Sequence, residues 1–301
     1  MIIKTRTVSH ELSVMRSLHA RMSLLPDDRK RYLKLEKGYQ GEVRFDQLTA
    51  KLQNDFFVIN DLCLEFNNSF FQIDTLIGAQ DTIYPFEVKN FEGDYLYESD
   101  KFLTIARKEV QNPLDQLKRS NILLQQLLRS VGFKLVVEGN IIFINPAFTL
   151  YQAPLNAPFV FPTQLDSFMK KLEQSPSKLN DRHLKLGEQL ISMHRTKSPY
   201  TRFPPYEYHQ LKKGFICSIC FSVMIPCGNN KLFCKNCGCV ENADAAILRS
   251  AEEIRLLFPD ITITTNLMYE WCGVIGSKKK IRRVLNEHYK MKGNYRWAFF
   301  E

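Results

Sequence analysis

Phe70-Phe71-Gln72-Ile73-Asp74-Thr75-Leu76-Ile77, a turn at Gly78 to Asp81, and Ile83-Tyr84-Pro85-Phe86-Glu87-Val88-Lys89 decide how this chain reads. Both runs are rich in β-branched and aromatic residues, and both carry charge inside an otherwise apolar strand. Side chains alternate along a strand, which places Gln72 and Asp74 on one face and Glu87 and Lys89 on one face. A solvent-facing sheet surface accounts for any one such charge. The combination of an acid and a following acid-apolar-lysine triplet suits a further role. Two carboxylates on adjacent strands can hold a hard divalent cation, and an amine beside them can orient water or face developing negative charge.

Outward from this pair, Phe56-Phe57-Val58-Ile59 reads as a strand closed by Asn60-Asp61. Upstream, Gly38-Tyr39-Gln40-Gly41-Glu42 leads into Val43, Phe45, Leu48 and Leu52, whose spacing predicts an amphipathic helix with Glu42 in its first turn. Downstream, Asn112-Pro113-Leu114 starts a helix with Leu114, Leu117, Ile122, Leu124 and Leu128 as its buried side, and residues 134 to 145 supply one or two more strands. Pro85 inside its strand suggests an edge or a bulge. Helix, three strands, helix, strand is the order of a compact α/β domain.

Four segments of that domain resemble the nuclease-related domain (NERD), a family of the PD-(D/E)xK restriction-endonuclease-like superfamily. They are Gly38-x-x-Gly41-Glu42, Gln72-Ile73-Asp74, Glu87-Val88-Lys89-Asn90-Phe91-Glu92-Gly93 and Asn112-Pro113-Leu114-x-Gln116, over roughly residues 35 to 150. The resemblance implies a mixed sheet flanked by helices and hydrolysis of phosphodiester bonds with Mg²⁺ or Mn²⁺. It makes Asp74 and Glu87 the metal-binding acids, Lys89 the catalytic lysine, and Glu42 an additional acid near the metal. Gln116 would contact the active site or the nucleic-acid backbone, with Gln72 a neighbour. The family usually carries a tryptophan between the lysine strand and the Asn-Pro-Leu motif; residues 94 to 111 have none.

Seven of the eight cysteines fall between Cys217 and Cys272. Cys217-Ser-Ile-Cys220 and Cys234-Lys-Asn-Cys237 form two C-x2-C pairs at the spacing of a structural zinc ribbon with four thiolate ligands, and Gly238 suits the tight turn such a knuckle needs. Cys227 and Cys239 could each replace a neighbour as ligand. Beyond the ribbon, Ala243 to Phe258 and residues 264 to 272 read as helices, and Ser277 caps a third from Lys278 to Tyr289 with Ile281, Val284, Leu285 and His288 inside. Lys278, Lys279, Lys280, Arg282 and Arg283 lie near its start. This is the outline of a helix-turn-helix whose cations contact nucleic acid, with Asn294-Tyr-Arg-Trp-Ala-Phe as a following strand.

The composition agrees. Of 301 residues 45% are hydrophobic and 24% charged, which excludes a disordered chain, and 41 Lys+Arg against 32 Asp+Glu give a net charge of +9, favouring a polyanionic partner. No stretch approaches ~18 uninterrupted apolar residues, and Lys4, Arg6, His10 and Glu11 occupy the place of a secretory apolar run. A cytoplasmic protein without membrane contact is therefore expected. The expected organisation is an N-terminal helical extension (1–37), a nuclease-like domain (38–170), a helical and Pro-rich connector (171–210), a zinc ribbon (211–242) and a basic helical tail (243–301). The function expected is a Mg²⁺-dependent nuclease acting on DNA, held there by ribbon and tail. The alternatives are a nuclease-fold DNA-binding or regulatory adaptor, and an RNA nuclease.

Overall fold

The computed structural model describes residues 1–196, 201–228, 230–273, 277–293 and 298–301. The chain opens with strand β1 (Ile2–Lys4), followed by helices α1 (His10–Arg21) and α2 (Pro26–Thr49). Two compact units divide it, one of residues 1–9 and 34–201, the other of residues 10–33 and 202–301. The N-terminal residues thus do not form an extension of their own; β1 pairs in parallel with a strand of the first unit, and α1 packs in the second.

In the first unit the chain continues through β2 (Phe57–Phe66), β3 (Ser69–Gly78), β4 (Thr82–Lys89), β5 (Gly93–Glu98), β6 (Lys101–Thr104), β7 (Glu109–Val110) and α3 (Pro113–Ser130). It then forms β8 (Val136–Val137), β9 (Asn140–Phe143), β10 (Phe148–Tyr151), β11 (Phe159–Val160), α4 (Leu165–Glu173) and α5 (Asp181–Ser192). The main sheet has the order β1-β2-β3-β4-β9-β11 with β8 also beside β4, antiparallel through β2-β3-β4 and parallel on both flanks. One face packs Phe57, Ile59, Leu62 and Ile73 against Leu124, Leu127 and Leu128 of α3 and Leu186 and Leu190 of α5. The other packs Val58, Ile77, Phe86 and Val88 against Phe45 of α2 and Leu172 of α4. Helices on both faces of a mixed sheet make this an α/β unit. Because Leu186 and Leu190 are fully buried against the sheet, α5 belongs to this unit and is no connector.

The expected amphipathic helix is longer than its sequence signal. α2 runs without interruption through Gly38 and Gly41, so Glu42 lies well inside it rather than in its first turn. A Cβ at Gly41 would meet Asn90 Cβ at 2.6 Å and Ile144 at 3.2 Å. Only glycine lets the helix approach the end of β4 this closely. Pro85 sits in a central strand, not at an edge. On that side β4 pairs with β8 up to Ile83↔Val137 and with β9 from Phe86↔Asn140, so the missing amide falls where the neighbouring ladder is broken.

In α3, Asn112 accepts from the Leu114 amide at 3.0 Å, as its sequence position suggests, and Leu114, Leu117, Leu124 and Leu128 are buried. Ile122 is 58% exposed, because five residues beyond Leu117 is the far side of a 3.6-residue helix. Residues 93 to 110 with 148 to 151 form a second sheet, β10-β5-β6-β7, over a ring cluster of Phe91, Tyr95, Phe102, Phe143 and Phe148.

The second unit contains β12 (Ile225–Pro226), β13 (Lys231–Phe233) and β14 (Val240–Asn242), which make one antiparallel sheet. Helices α6 (Ala243–Leu257), α7 (Thr265–Trp271) and α8 (Lys278–His288) follow, then the hairpin β15 (Met291–Lys292) and β16 (Phe299–Phe300). The strand expected from Asn294 lies largely outside the described residues, as do Gly276, Ser198 and Tyr200. Phe203, Tyr206 and Tyr208, each half-buried, pack on His10, Phe258 and Trp271 against the core of this unit. Among the described residues no helix is long and apolar enough to cross a membrane.

The most demanding group in this core is Arg21, whose side chain is completely buried. Its guanidinium donates to Glu253 at 2.8 and 2.5 Å and to the Lys212 carbonyl at 2.7 Å, and lies 4.0 Å from the Trp271 ring centroid. Removing one partner strands the other charge in a site built to exclude water. Arg21→Ala is expected to cost about 3–5 kcal/mol of unfolding free energy, read by chemical denaturation; a loss below about 1 kcal/mol would contradict this account.

Candidate active site

Register sets three acids in a row across neighbouring strands. β2 and β3 pair Asn60↔Thr75 and Leu62↔Ile73, which puts Asp61 opposite Asp74. β3 and β4 pair Thr75↔Phe86, and the next step sets Asp74 opposite Glu87. At this level the pleat changes phase. Phe57 and Ile59, but then Leu62 and Leu64, face the same cluster, and on β3 so do Phe71, Ile73 and then Leu76. Asp61 sits at the change with φ 54, a left-handed conformation that aspartate tolerates better than most residues. Strict alternation therefore fails here: Gln72 is exposed while Asp74 is only 6% exposed.

The Asp74 carboxylate reaches across to β4, where Oδ2 accepts from the Val88 amide at 2.7 Å. Glu87, 4% exposed, accepts from Lys89 Nζ at 2.7 Å. Lys89 Nζ also donates to Gln116 Oε1 at 3.0 Å, so the first turns of α3 bring the glutamine of the fourth sequence segment onto the lysine of the third. Asp74, Glu87, Lys89 and Gln116 thus converge, all but Gln116 from β3 and β4.

Glu42 has another partner. It arrives on α2, from the sheet face opposite to α3, and accepts from Arg6 at 2.6 Å. The Arg6 side chain is buried and also donates to Asp46 at 2.8 and 3.0 Å and to the Asp74 carbonyl at 2.6 Å. Arg6 and Asp61 carry no local signal in the sequence that would mark them for this site. Asp46, one helical turn beyond Glu42, is legible as a second acid on the same helix face.

Burial pushes all three acids up. Glu87 rises to about 7 through burial and the Asp74 charge, against the pull of Lys89 and Gln116. Glu42 rises to about 8 through burial and the Asp74 charge, with Arg6 opposing. Burial also raises Asp74, with Lys89 and the Val88 amide opposing. Ionised carboxylates here lack enough positive charge around them, and their oxygen-only donors suit a hard divalent cation. Among the described residues only four cysteines form a set of three or more potential ligands with all ligand atoms within 4.8 Å. Mg²⁺ bound by a few carboxylates would keep several of its waters.

A pH dependence follows. An acid whose pKa is higher folded than unfolded favours folding when protonated, and that advantage is lost as pH climbs from the ordinary value of 4.5 through about 7 for Glu87 and about 8 for Glu42. A divalent cation bound by ionised Glu87 would offset its share of this loss. The stabilisation on replacing EDTA by Mg²⁺, read as a rise in melting temperature, is expected to grow from about pH 5 to about pH 8, by up to about 1.4 kcal/mol of unfolding free energy per pH unit for a ligand carboxyl titrating there. A shift of constant size across that range would refute it.

In the second unit, Cys217, Cys220, Cys234 and Cys237 come together with every sulfur within 4.8 Å of the others. Cys217 and Cys237 lie 3.6 Å apart and Cys220 and Cys234 3.3 Å, near the edge of about 3.8 Å in a tetrahedron with metal–sulfur bonds of about 2.3 Å. Each C-x2-C is followed by the same turn. Phe221 and Gly238, at φ 60 and 75, donate back to the carbonyls of Cys217 and Cys234. Cys227 and Cys239 stand outside that set of four. The cluster fits a zinc ribbon.

The five cations of α8 do not act alike. Arg283 pairs with Asp244 at 2.6 Å and Glu287 at 2.8 Å, and Lys280 turns to Asp244 at 3.7 Å and to Asn230. Lys278, Lys279 and Arg282 are exposed and line a cavity of about 410 Å³. Ser277 caps α8 as expected, accepting from the Lys280 amide at 3.2 Å, but His288 is exposed rather than inside.

Compared with known families, residues 37–144 match the model described as nuclease-related domain. No curated protein and no solved structure matches the chain.

Proposed function

Given a nuclease-related domain across residues 37–144, we propose that this chain is a metal-dependent nuclease that hydrolyses phosphodiester bonds of DNA. The observation that carries the reading is the meeting of buried Asp74 and Glu87 with a lysine that Gln116 holds in place. Asp74 and Glu87 would hold Mg²⁺ or Mn²⁺. Such an ion polarises a phosphoryl oxygen and lowers the pKa of a bound water. Lys89 orients the attacking water and faces the charge that develops on the phosphoryl group. Water oxygen bonds to phosphorus and gives up one proton to solvent, the bond to the leaving oxygen breaks, and that oxygen takes up a proton from solvent. Gln116 keeps the ammonium aimed, and Arg6 neutralises Glu42 and Asp46 behind the site.

Cys217, Cys220, Cys234 and Cys237 would bind one structural Zn²⁺ whose coordination shell is closed by thiolates. Ribbon and tail would hold the nucleic acid. Cysteines kept as metal-binding thiols would suit a reducing compartment such as the cytoplasm. The test is purified protein with labelled DNA and RNA in Mg²⁺, Mn²⁺ or EDTA. Metal-dependent cutting of DNA supports the reading. Cutting of RNA alone makes the protein an RNA nuclease, and binding without cutting in any metal makes it an adaptor.

A further inference from the structure

We propose that α8 is the groove-reading helix of a duplex-DNA-binding module, with Lys279, Arg282 and Asn286 presented to the DNA and Lys280 and Arg283 reserved for holding the module together. This deepens the reading that the C-terminal segment takes nucleic acid, and rests on it.

The argument starts from the helix itself. Ile281, Val284 and Leu285 are buried, and Ser277 and Tyr289 terminate the helix. Opposite that apolar side, Lys279, Arg282 and Asn286 recur at spacings of three and four, and all are exposed. Among the described residues none of the three side chains makes a hydrogen bond or ion pair. Lys280 and Arg283 lie to one side of the stripe, where Asp244 on α6 and Glu287 take up their charge. Two of the five cations are thus neutralised by carboxylates at their own ends, and three remain.

The surroundings give the helix a setting. α7 and α8 pack together and against α6, and the hairpin of β15 and β16 follows directly, joined by an Ile263↔Phe300 bridge to the segment before α7. A helix pair of this kind lays its second helix in a groove. The cavity beside α8 is lined by Lys278, Lys279 and Arg282 with Thr265, Asn266 and Phe300, with no acid among the described residues that line it. Lys278 is steered by the Tyr269 ring, 5.3 Å from its Nζ.

The choice of duplex DNA follows from dimensions. A B-form major groove, about 12 Å wide, admits an α-helix, whereas the major groove of an RNA duplex is too deep and narrow for its side chains to read. Arginine and asparagine are the side chains that make paired hydrogen bonds to guanine and adenine edges, and both occupy the exposed stripe. Lys278 and Lys279 are placed for phosphates.

The experiment is equilibrium binding of the full chain in EDTA, as a function of salt, to short duplex DNA of random sequence, to the matching RNA duplex and to single-stranded DNA. Lys278→Ala and Lys279→Ala should each flatten the log K against log salt slope by about 1. Arg282→Ala and Asn286→Ala should lower affinity and broaden the sequences that the protein selects from a randomised duplex pool. Lys280→Ala, Arg283→Ala and Asp244→Asn should lower the melting temperature and leave the salt slope of the folded protein unchanged. Equal binding of RNA duplex, a slope lowered as much by Lys280→Ala as by Lys279→Ala, or an unaltered sequence preference in the Arg282 and Asn286 variants overturns the assignment while nucleic-acid binding stands. No binding to any of the three probes overturns both.

Discussion

Asp74→Asn is expected to lower the cleavage rate by about a thousandfold, or about 4 kcal/mol of transition-state stabilisation, while the protein still folds. The asparagine side-chain oxygen can keep the 2.7 Å bond from the Val88 amide, so β3 and β4 stay joined. What disappears is the negative charge, and with it one of the carboxylates proposed to hold the ion. Asp74→Ala is the less informative variant, because it also orphans a buried amide, a loss of about 1–3 kcal/mol in stability. Lys89→Ala is expected to lose about a hundredfold in rate while both carboxylates remain, and to weaken Mg²⁺ binding only to the extent that Glu87, no longer held down by the ammonium, becomes harder to ionise. Measuring cleavage and Mg²⁺ affinity on both variants separates the two roles. Full-rate cutting by Asp74→Asn would end the assignment.

Cys217→Ser or Cys234→Ser is expected to abolish zinc binding at the proposed ribbon site and unfold much of the second unit. Three strands of two or three residues cannot sustain a sheet by themselves. Metal binding in such modules contributes on the order of 10 kcal/mol to folding. Phe215, Met224, Leu232 and Cys234 also belong to the same core as α6 to α8, so melting the ribbon opens that core. Cys227→Ser and Cys239→Ser should keep one zinc per chain and the wild-type melting temperature. Metal analysis and circular dichroism on the four variants decide it. Zinc retained in Cys217→Ser but lost in Cys227→Ser would show that the ligand set is different.

Several features are legible in the sequence because they are local. The Asn112 cap, the Ser277 cap and the two C-x2-C knuckles each involve residues within four positions of one another, and each is found where its spacing puts it. The mixed α/β fold of the first unit is likewise readable from the order of its segments. The sheet of residues 93 to 110 is not, because its short strands carry mixed polarity and are held by aromatic packing from Phe143 and Phe148 far along the chain. α5 reads as a connector for a related reason: its apolar positions acquire meaning only against β1 and β2.

The residue types of the site, its acids, its lysine and its thiols, belong to the sequence alone, since chemistry and short spacing are properties of the chain before it folds. Tertiary structure decided which of them act together. Arg6 takes Glu42 and Asp46 across 36 and 40 residues of chain. Asp244 claims Arg283 across 39. A change of pleat phase at Asp61 buries Asp74 and exposes Gln72. Charges find partners through space, and the nearest counter-charge in a folded protein is set by which faces pack, which no local period encodes.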